Sequence, residues 1–421
     1  MKFSYLLRLE RLRQNIKQEE LAKGICSTSY LSKIENGKAE PSDEILQLLF
    51  DRLNFPFPNL QAEDHLEELN NQFKKIIDQR DRESAQLMLK EMDTISSVNN
   101  TSIDFLLIQT RLLMFEEQTS SIVENNLSLL KSVEKDLSSR QKFYYSLVQG
   151  LYEYNDNHFS NSLKFFNEAE NLCLQFPVDD WEKSELHYVL SLASLSDYRN
   201  ITAIEYAQYA LDYFNSKMLL SRSISCLIII GLAKKRIGQI EEAVITFREA
   251  MELLSDNDAS IHLALIEHNL GLCYSLIGDK KKALQSFESA LKMKKHANSK
   301  IVTAIAILKE YFKMDNSKMA GAWLAKCMSL ITQVTQNRTY YEQHLSVYKL
   351  LLSDSADSHK FFKDILKYFD DLRNYYHCFI YCNLFSKKLT NQNEYKSATI
   401  YYEKAFDYYL KHKKVNYWGD L

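Results

Sequence analysis

Gln18-Glu-Glu-Leu-Ala22-Lys-Gly24-Ile-Cys26-Ser-Thr-Ser-Tyr-Leu31-Ser-Lys33-Ile-Glu-Asn-Gly37 is the stretch on which the reading of this chain turns. A short helix is expected from Gln18, with Leu21 and Ala22 on its buried side. The alanine is small enough to let a second helix cross close by. Gly24-Ile25-Cys26 reads as a turn. Ser27 is a suitable N-cap for a helix over Thr28–Glu35, because its hydroxyl can accept from an otherwise unpaired backbone N–H. Leu31 and Ile34 then face inward, while Thr28, Ser29, Ser32 and Lys33 face out. Asn36-Gly37 stops the helix.

Outward from this stretch the same compact helical pattern continues. Residues 4–14 form an amphipathic helix, with Leu6, Leu9 and Leu12 inward and Arg8, Arg11 and Arg13 outward. Pro41-Ser42-Asp43 opens a fourth helix, with Ile45, Leu48, Leu49 and Leu53 on its core face. Asn54-Phe-Pro-Phe-Pro-Asn59 holds two of the four prolines of the chain and reads as a linker. The domains expected are 1–55, a linker at 56–64, and a second region from 65 to 421.

The matching residues Gln18-Glu-Glu-Leu-Ala22, Ser32-Lys-Ile-Glu35, Gly37 and Pro41 resemble the lambda-repressor-like (XRE-type) helix-turn-helix domain. The turn is one residue shorter than in that family, and Cys26 stands near the place of its glycine. The resemblance implies that the helix from Thr28 enters the major groove of double-stranded DNA. Thr28, Ser29, Ser32 and Lys33 are then candidates for base edges or phosphate, with Ser27 and Tyr30 beside them. Asn36 and Lys38 would reach phosphate. Gln18 would contact the DNA backbone or brace the recognition helix.

The charge pattern agrees with this reading. The whole chain of 421 residues carries a net charge of −3, which gives no general attraction to nucleic acid. From Met1 to Lys38, however, eight Lys and Arg face four Glu, a local +4. One such domain binds weakly, so a homodimer or higher homo-oligomer reading a palindromic operator is expected.

Gly (9) and Pro (4) are scarce, which argues for helices joined by short turns and so for an all-α chain. Beyond residue 60 an internal repeat appears. Gly271, Ala283, Phe287 and Ala290 recur at matching offsets as Gly231, Ala243, Phe247 and Ala250, and as Gly150, Ser162, Phe166 and Ala169. Ser191, Ala203, Ala207 and Ala210 form another set. Ala320, Leu324 and Cys327 continue the series, then Ala398, Tyr402 and Ala405. The period is about 40 residues, which marks a stacked-repeat architecture. The offsets resemble the tetratricopeptide repeat, whose usual period is about 34 residues. The glycines would sit where helix A of a pair lies against helix B. Eight or nine pairs are expected, with a last helix over 394–409 acting as a cap.

The tetratricopeptide resemblance implies a right-handed superhelix whose concave groove binds an extended peptide. Asn269 is the leading candidate, since a carboxamide can both donate to and accept from a peptide bond. The same register brings in His268, Lys235, Tyr188 and Glu185. Tyr144, Tyr154 and Lys309 complete the expected peptide-binding set.

No phosphate loop, HExxH or GxSxG motif is present, and no catalytic role is assigned to any residue. His377, Cys378 and Cys382 do not converge on one helix face, so no metal or other cofactor is expected. The seven cysteines are scattered singly, and no run is long enough to span a bilayer, so a cytoplasmic location is expected.

An XRE-type domain followed by tetratricopeptide-like pairs resembles the peptide-sensing Rap/NprR/PlcR/PrgX family of Gram-positive bacteria, and its NprR branch in particular. That implies a quorum-sensing transcription regulator controlled by a short signalling peptide. The same resemblance leaves open a Rap-like protein that binds a phosphorelay response regulator and promotes its dephosphorylation. A peptide-independent dimeric regulator is the third reading.

Overall fold

The computed structural model describes residues 4–55, 62–96, 103–115, 121–254, 259–353 and 358–413. Among these residues the regular structure is helical. The chain divides into two compact units, Met1–Leu254 and Ser255–Leu421.

The first unit begins with four helices, α1 (Ser4–Arg13), α2 (Gln18–Ala22), α3 (Thr28–Glu35) and α4 (Asp43–Arg52). Their core holds Leu7, Leu21, Leu31, Ile34, Leu49 and Phe50. Ser27 Oγ accepts from Tyr30 N at 3.1 Å and so caps α3. At its other end Lys38 N donates to Lys33 O at 2.8 Å across Gly37, whose φ of +66° suits glycine. Gly24 supplies the left-handed residue of the α2–α3 turn, with φ +76°. The turn therefore needs no glycine at Cys26, which is half-buried.

Two core faces differ from the expectation. In α1, Leu7 and Leu9 are both buried, and Arg11 is buried with them, not outward. Leu7 faces the four-helix core, but Leu9 joins a second cluster with Ile103, Leu106, Leu127 and Leu130. A helix clamped on two sides has no single apolar stripe for periodicity to find. In α4 the buried set is Leu46, Leu49, Phe50 and Leu53, whereas Leu48 is exposed.

Residues 56–61 of the expected linker lie outside the described residues. Five helix pairs follow in the first unit. They are α5 (Ala62–Gln79) with α6 (Arg82–Ser96), α7 (Ile103–Phe115) with α8 (Ser121–Ser132), and α9 (Ser139–Asn155) with α10 (Phe159–Leu172). Then come α11 (Asp180–Ser196) with α12 (Asn200–Ser216), and α13 (Leu220–Arg236) with α14 (Ile240–Glu252). The second unit holds four more pairs. These are α15 (Ala259–Ile277) with α16 (Lys280–Met293), α17 (Ala297–Lys313) with α18 (Ser317–Ile331), α19 (Arg338–Leu352) with α20 (Ser358–Asp371), and α21 (Tyr375–Asn391) with α22 (Tyr395–Lys413).

Nine pairs are thus present among the described residues. The long period arises in the helices and not in the loops, since α11, α12 and α13 each have 17 residues and are separated by three-residue turns. Those turns repeat one geometry, with a left-handed residue just after helix A at Asn157, Tyr198, Gly238, Gly278 and Asp315.

The repeated glycines have a steric cause. A Cβ on Gly150 would stand 2.4 Å from the Phe166 ring, one on Gly231 2.7 Å from Phe247, and one on Gly271 2.6 Å from Phe287. Each helix B phenylalanine lies directly on the helix A backbone. In the α11–α12 pair the same places carry Ser191 and Ala207, both fully buried. In α22, Ala398, Tyr401 and Ala405 are buried, whereas Tyr402, expected inward, is 40% exposed.

Candidate functional site

The outward surface of the four-helix domain gathers the residues expected to meet DNA. Thr28, Ser29 and Lys33 are exposed on α3, and Tyr30 and Ser32 are half-buried beside them. Ser27 and Lys38 are exposed at its two ends. Asn36 is exposed too, but its Nδ2 donates back to Ser32 O at 2.7 Å. Tyr30 Oη donates to Glu40 O at 3.4 Å, tying α3 to the segment ahead of α4.

Beneath this surface lies a polar brace. Arg11 Nε and Nη2 donate to the two carboxylate oxygens of Glu35 at 2.6 and 2.8 Å. Gln18 Nε2 donates to Glu35 Oε2 at 2.6 Å. Arg11 also donates to Ile16 O at 2.9 Å. Glu35 is buried at the end of α3, so α1 and α2 both hold the candidate recognition helix through one carboxylate. A bidentate pair of this kind fixes orientation as well as adding energy. Arg52 completes the frame by donating to Leu21 O at 3.0 Å and to Lys23 O, where α2 ends with unpaired carbonyls. This arrangement changes the charge reading. Arg11 and Arg13 are matched internally by Glu35 and Glu10, which leaves Lys17, Lys23, Lys33 and Lys38 as the exposed lysines among the described residues of this domain.

The residues expected to bind peptide are less open than their register suggests. In the first unit Glu185 is buried between two arginines. Arg111 Nη2 donates to its Oε1 at 2.6 Å, and Arg222 Nη2 donates to its Oε2. Burial would raise the Glu185 pKa, but the Arg222 and Arg111 guanidiniums outweigh it and hold the carboxyl at about 2. Tyr188 is buried under Arg222 and Arg80, at 4.6 and 4.7 Å from its ring centre. Tyr154 is half-buried, with its hydroxyl 3.3 Å from Ser196 Oγ. Tyr144 is half-buried and donates to Glu182. Burial pushes its pKa up, and the neighbouring Glu182 carboxylate adds to the shift. Lys235 is half-buried on α13.

In the second unit Asn269 and His268 are buried, not laid open on a face. Asn269 Nδ2 donates to Leu265 O at 2.9 Å on its own helix. His268 Nδ1 is 3.0 Å from Thr303 Oγ1, which accepts from Lys294 Nζ at 2.6 Å. Half-buried Lys309 lies close enough to His344 and His377 to act on both electrostatically. Burial lowers its own pKa to about 8.

Sequence reasoning missed Arg111 and Arg222. A visible signal exists for Arg111, the one charged residue in the largely apolar run Phe105–Phe115. Its carboxylate partner is 74 residues away, so only the packing identifies the pair.

Comparison with known proteins agrees with this architecture. The sequence matches the helix-turn-helix family over residues 7–60 and the tetratricopeptide repeat over residues 223–296. It is 29% identical over 403 residues to the transcriptional activator NprA of Geobacillus stearothermophilus, covering 92% of this chain and 98% of that protein. It is 23% identical over 249 residues to response regulator aspartate phosphatase H of Bacillus subtilis, covering 58% of this chain and 65% of that one. Among solved structures, the apo quorum sensor NprR from B. thuringiensis superposes with a TM-score of 0.72 at 19% identity, over 83% of this chain and 98% of that one. NprR with its cognate peptide NprX gives 0.57 at 19% identity, over 84% and 99%. At these identities the superpositions speak for the fold. Among the described residues no helix is long and apolar enough to cross a membrane, and no His, Cys, Asp and Glu group forms a metal site. With its helix-turn-helix head, its tetratricopeptide array and its likeness to NprA over 92% of its length, the chain is similar to a helix-turn-helix transcriptional activator that carries the same two-part architecture.

Proposed function

We propose that this protein is a quorum-sensing transcription regulator, which binds DNA through α3 and responds to a short peptide held by the repeat helices. The observation that carries the reading is the braced recognition helix, with Thr28, Ser29 and Lys33 exposed and Glu35 locked to Arg11 and Gln18. The named role of the NprA relative supports it. Four exposed lysines among the described residues of each domain give modest affinity, so two copies acting on a palindromic operator are part of the proposal. Peptide binding shifts DNA affinity only as far as the peptide prefers one assembly over another.

Selection of duplexes from a random pool with the full-length protein tests the DNA arm. Ser29→Ala with Lys33→Ala is expected to weaken the selected site roughly tenfold or more and to flatten its salt dependence. Unchanged affinity across salt would remove α3 from the interface. For the peptide arm, Asn269→Ala is expected to weaken binding of peptides selected from a random heptapeptide library. Contact with peptide through Asn269 requires its amide to turn from Leu265 O. Equal binding would remove that residue from the site.

A second reading is favoured by the relatives named response regulator aspartate phosphatases. It is tested by mixing the full-length protein with a phosphorylated response regulator. Loss of phosphate faster than the spontaneous rate, in a variant unable to bind DNA, is the result expected of that reading.

A further inference from the structure

Between α5, α7 and α9 of the first unit lies a cavity of about 300 Å³. Phe73, Leu107 and Ile108, all buried, form its apolar floor. Among the described residues its charged lining is one carboxylate, Asp104, and one guanidinium, Arg140, with the carboxamides of Asn70 and Gln141 beside them.

Asp104 is short of a cation. Gln141 Nε2 donates to its Oδ2 at 3.2 Å. A carboxylate in the first turn of α7 suits the helix dipole, yet this one is half-buried. Burial raises its pKa, and the Gln141 amide, its own backbone N–H and the Arg140 charge do not bring it back. Arg140 is drawn the other way. Its ion pairs, to Glu182 Oε1 at 2.6 Å and to Asp179 Oδ2 at 3.8 Å, both run through Nη2. Neither of those carboxylates lines the cavity. The exposed guanidinium fork therefore keeps donors for a further carboxylate.

We propose that this cavity binds a free aliphatic α-amino acid, with its ammonium on Asp104, its carboxylate on Arg140 and its side chain against Phe73, Leu107 and Ile108. A simple amine or a simple acid satisfies one of the two charged groups, whereas a zwitterion satisfies both. A few polar groups over an apolar floor fix the orientation of a small ligand, and a volume at the small end for ligand pockets suits one residue and not a chain of them. Of the residues expected to hold peptide, Tyr144 alone borders the cavity, so the proposal goes beyond the peptide reading and stands without it. Leu107 also belongs to the cluster that receives Leu9 of α1. An occupant of the cavity thus rests on the same packing that holds the DNA-binding head.

The test uses the full-length protein with L-leucine, L-isoleucine and L-valine as probes. Three controls each lack one feature: isopentylamine has no carboxylate, 4-methylpentanoate has no ammonium, and glycine has no side chain. At least one of the aliphatic amino acids is expected to raise the melting temperature saturably at millimolar concentration. Each control is expected to need at least tenfold more to do the same. Asp104→Asn keeps the shape of the side chain and should weaken the amino acid at least tenfold. The unliganded melting temperature of that variant should be unchanged or higher, because a half-buried charge has been removed. Arg140→Gln should weaken the amino acid and leave the feeble effect of isopentylamine as it was.

No shift with any of the three amino acids overturns the proposal. So does a shift that glycine matches, since that is a bulk solvent effect, or one that isopentylamine matches, since the cavity would then take amines. Wild-type affinity in both Asp104→Asn and Arg140→Gln would place the amino acid elsewhere on the protein and overturn the assignment of this cavity.

Discussion

At the residue scale the controlling facts are a few close approaches. Gly150 sits where a Cβ would enter the Phe166 ring, whereas Gly321 has nothing within 4 Å of its own Cβ position. Gly150→Ala is therefore expected to cost about 1–3 kcal/mol through forced repacking. Gly321→Ala, in mid-helix, is expected to be neutral or to add up to about 1 kcal/mol. Urea denaturation of the two variants separates the cases, and trimming Phe166 to Leu in the first variant should recover part of its loss. Glu35 is the other sensitive residue. Glu35→Ala leaves Arg11 buried and uncompensated, so a loss of about 3–5 kcal/mol is expected. Arg11→Leu with Glu35→Leu should cost less than Glu35→Ala, because neither charge is then stranded. Proteolysis mapping of the helix-turn-helix domain, together with DNA binding, reads the difference.

Among the elements, α3 depends on its two ends. Ser27→Ala removes the acceptor for Tyr30 N, with an expected loss of about 1 kcal/mol in the DNA-binding domain. Amide exchange in α3 should rise accordingly while exchange in α9 to α14 stays unchanged. The helix pairs show why local pattern was informative here. A close backbone contact demands a small residue on one helix, and a stacked array repeats that demand every 40 residues or so, making it visible without any structure. α1 shows the opposite case. It buries Leu7 toward one cluster and Leu9 toward another, and periodicity assumes a single face.

For the whole chain, acid lability is the clearest expectation. Burial, with Lys309 adding to it, lowers the His344 and His377 pKa values to about 2 and about 4, from an ordinary 6.5. The unfolded chain therefore takes up protons first as pH falls. Stability from these groups is fully present above about pH 6.5 and declines as pH drops toward 4 and below. His377→Phe should flatten the stability–pH slope in that window by up to one proton, about 1.4 kcal/mol per pH unit. Urea midpoints of the full chain between pH 7.5 and 4.5 check this, and an unaltered slope would show that His377 is not titrating with folding.

The sequence by itself determined the helical class, the DNA-binding head with its capped α3, and the array of pairs. Each of these follows from short-range rules: an N-cap three residues from its donor, a left-handed glycine after a helix, a small residue facing a large one at a fixed offset. Tertiary structure alone decided which polar side chains remain accessible. Asn269 and His268 were legible as polar residues on a helix A face, but packing buries both. Arg11 read as a surface charge until Glu35, 24 residues on, proved to be its partner. The Arg111–Glu185–Arg222 knot joins residues separated by 74 and 37 positions. Local periodicity records how a helix meets its neighbours. The pairing of buried charges depends on which distant helices the fold brings within about 3 Å, and in a single sequence no spacing encodes that.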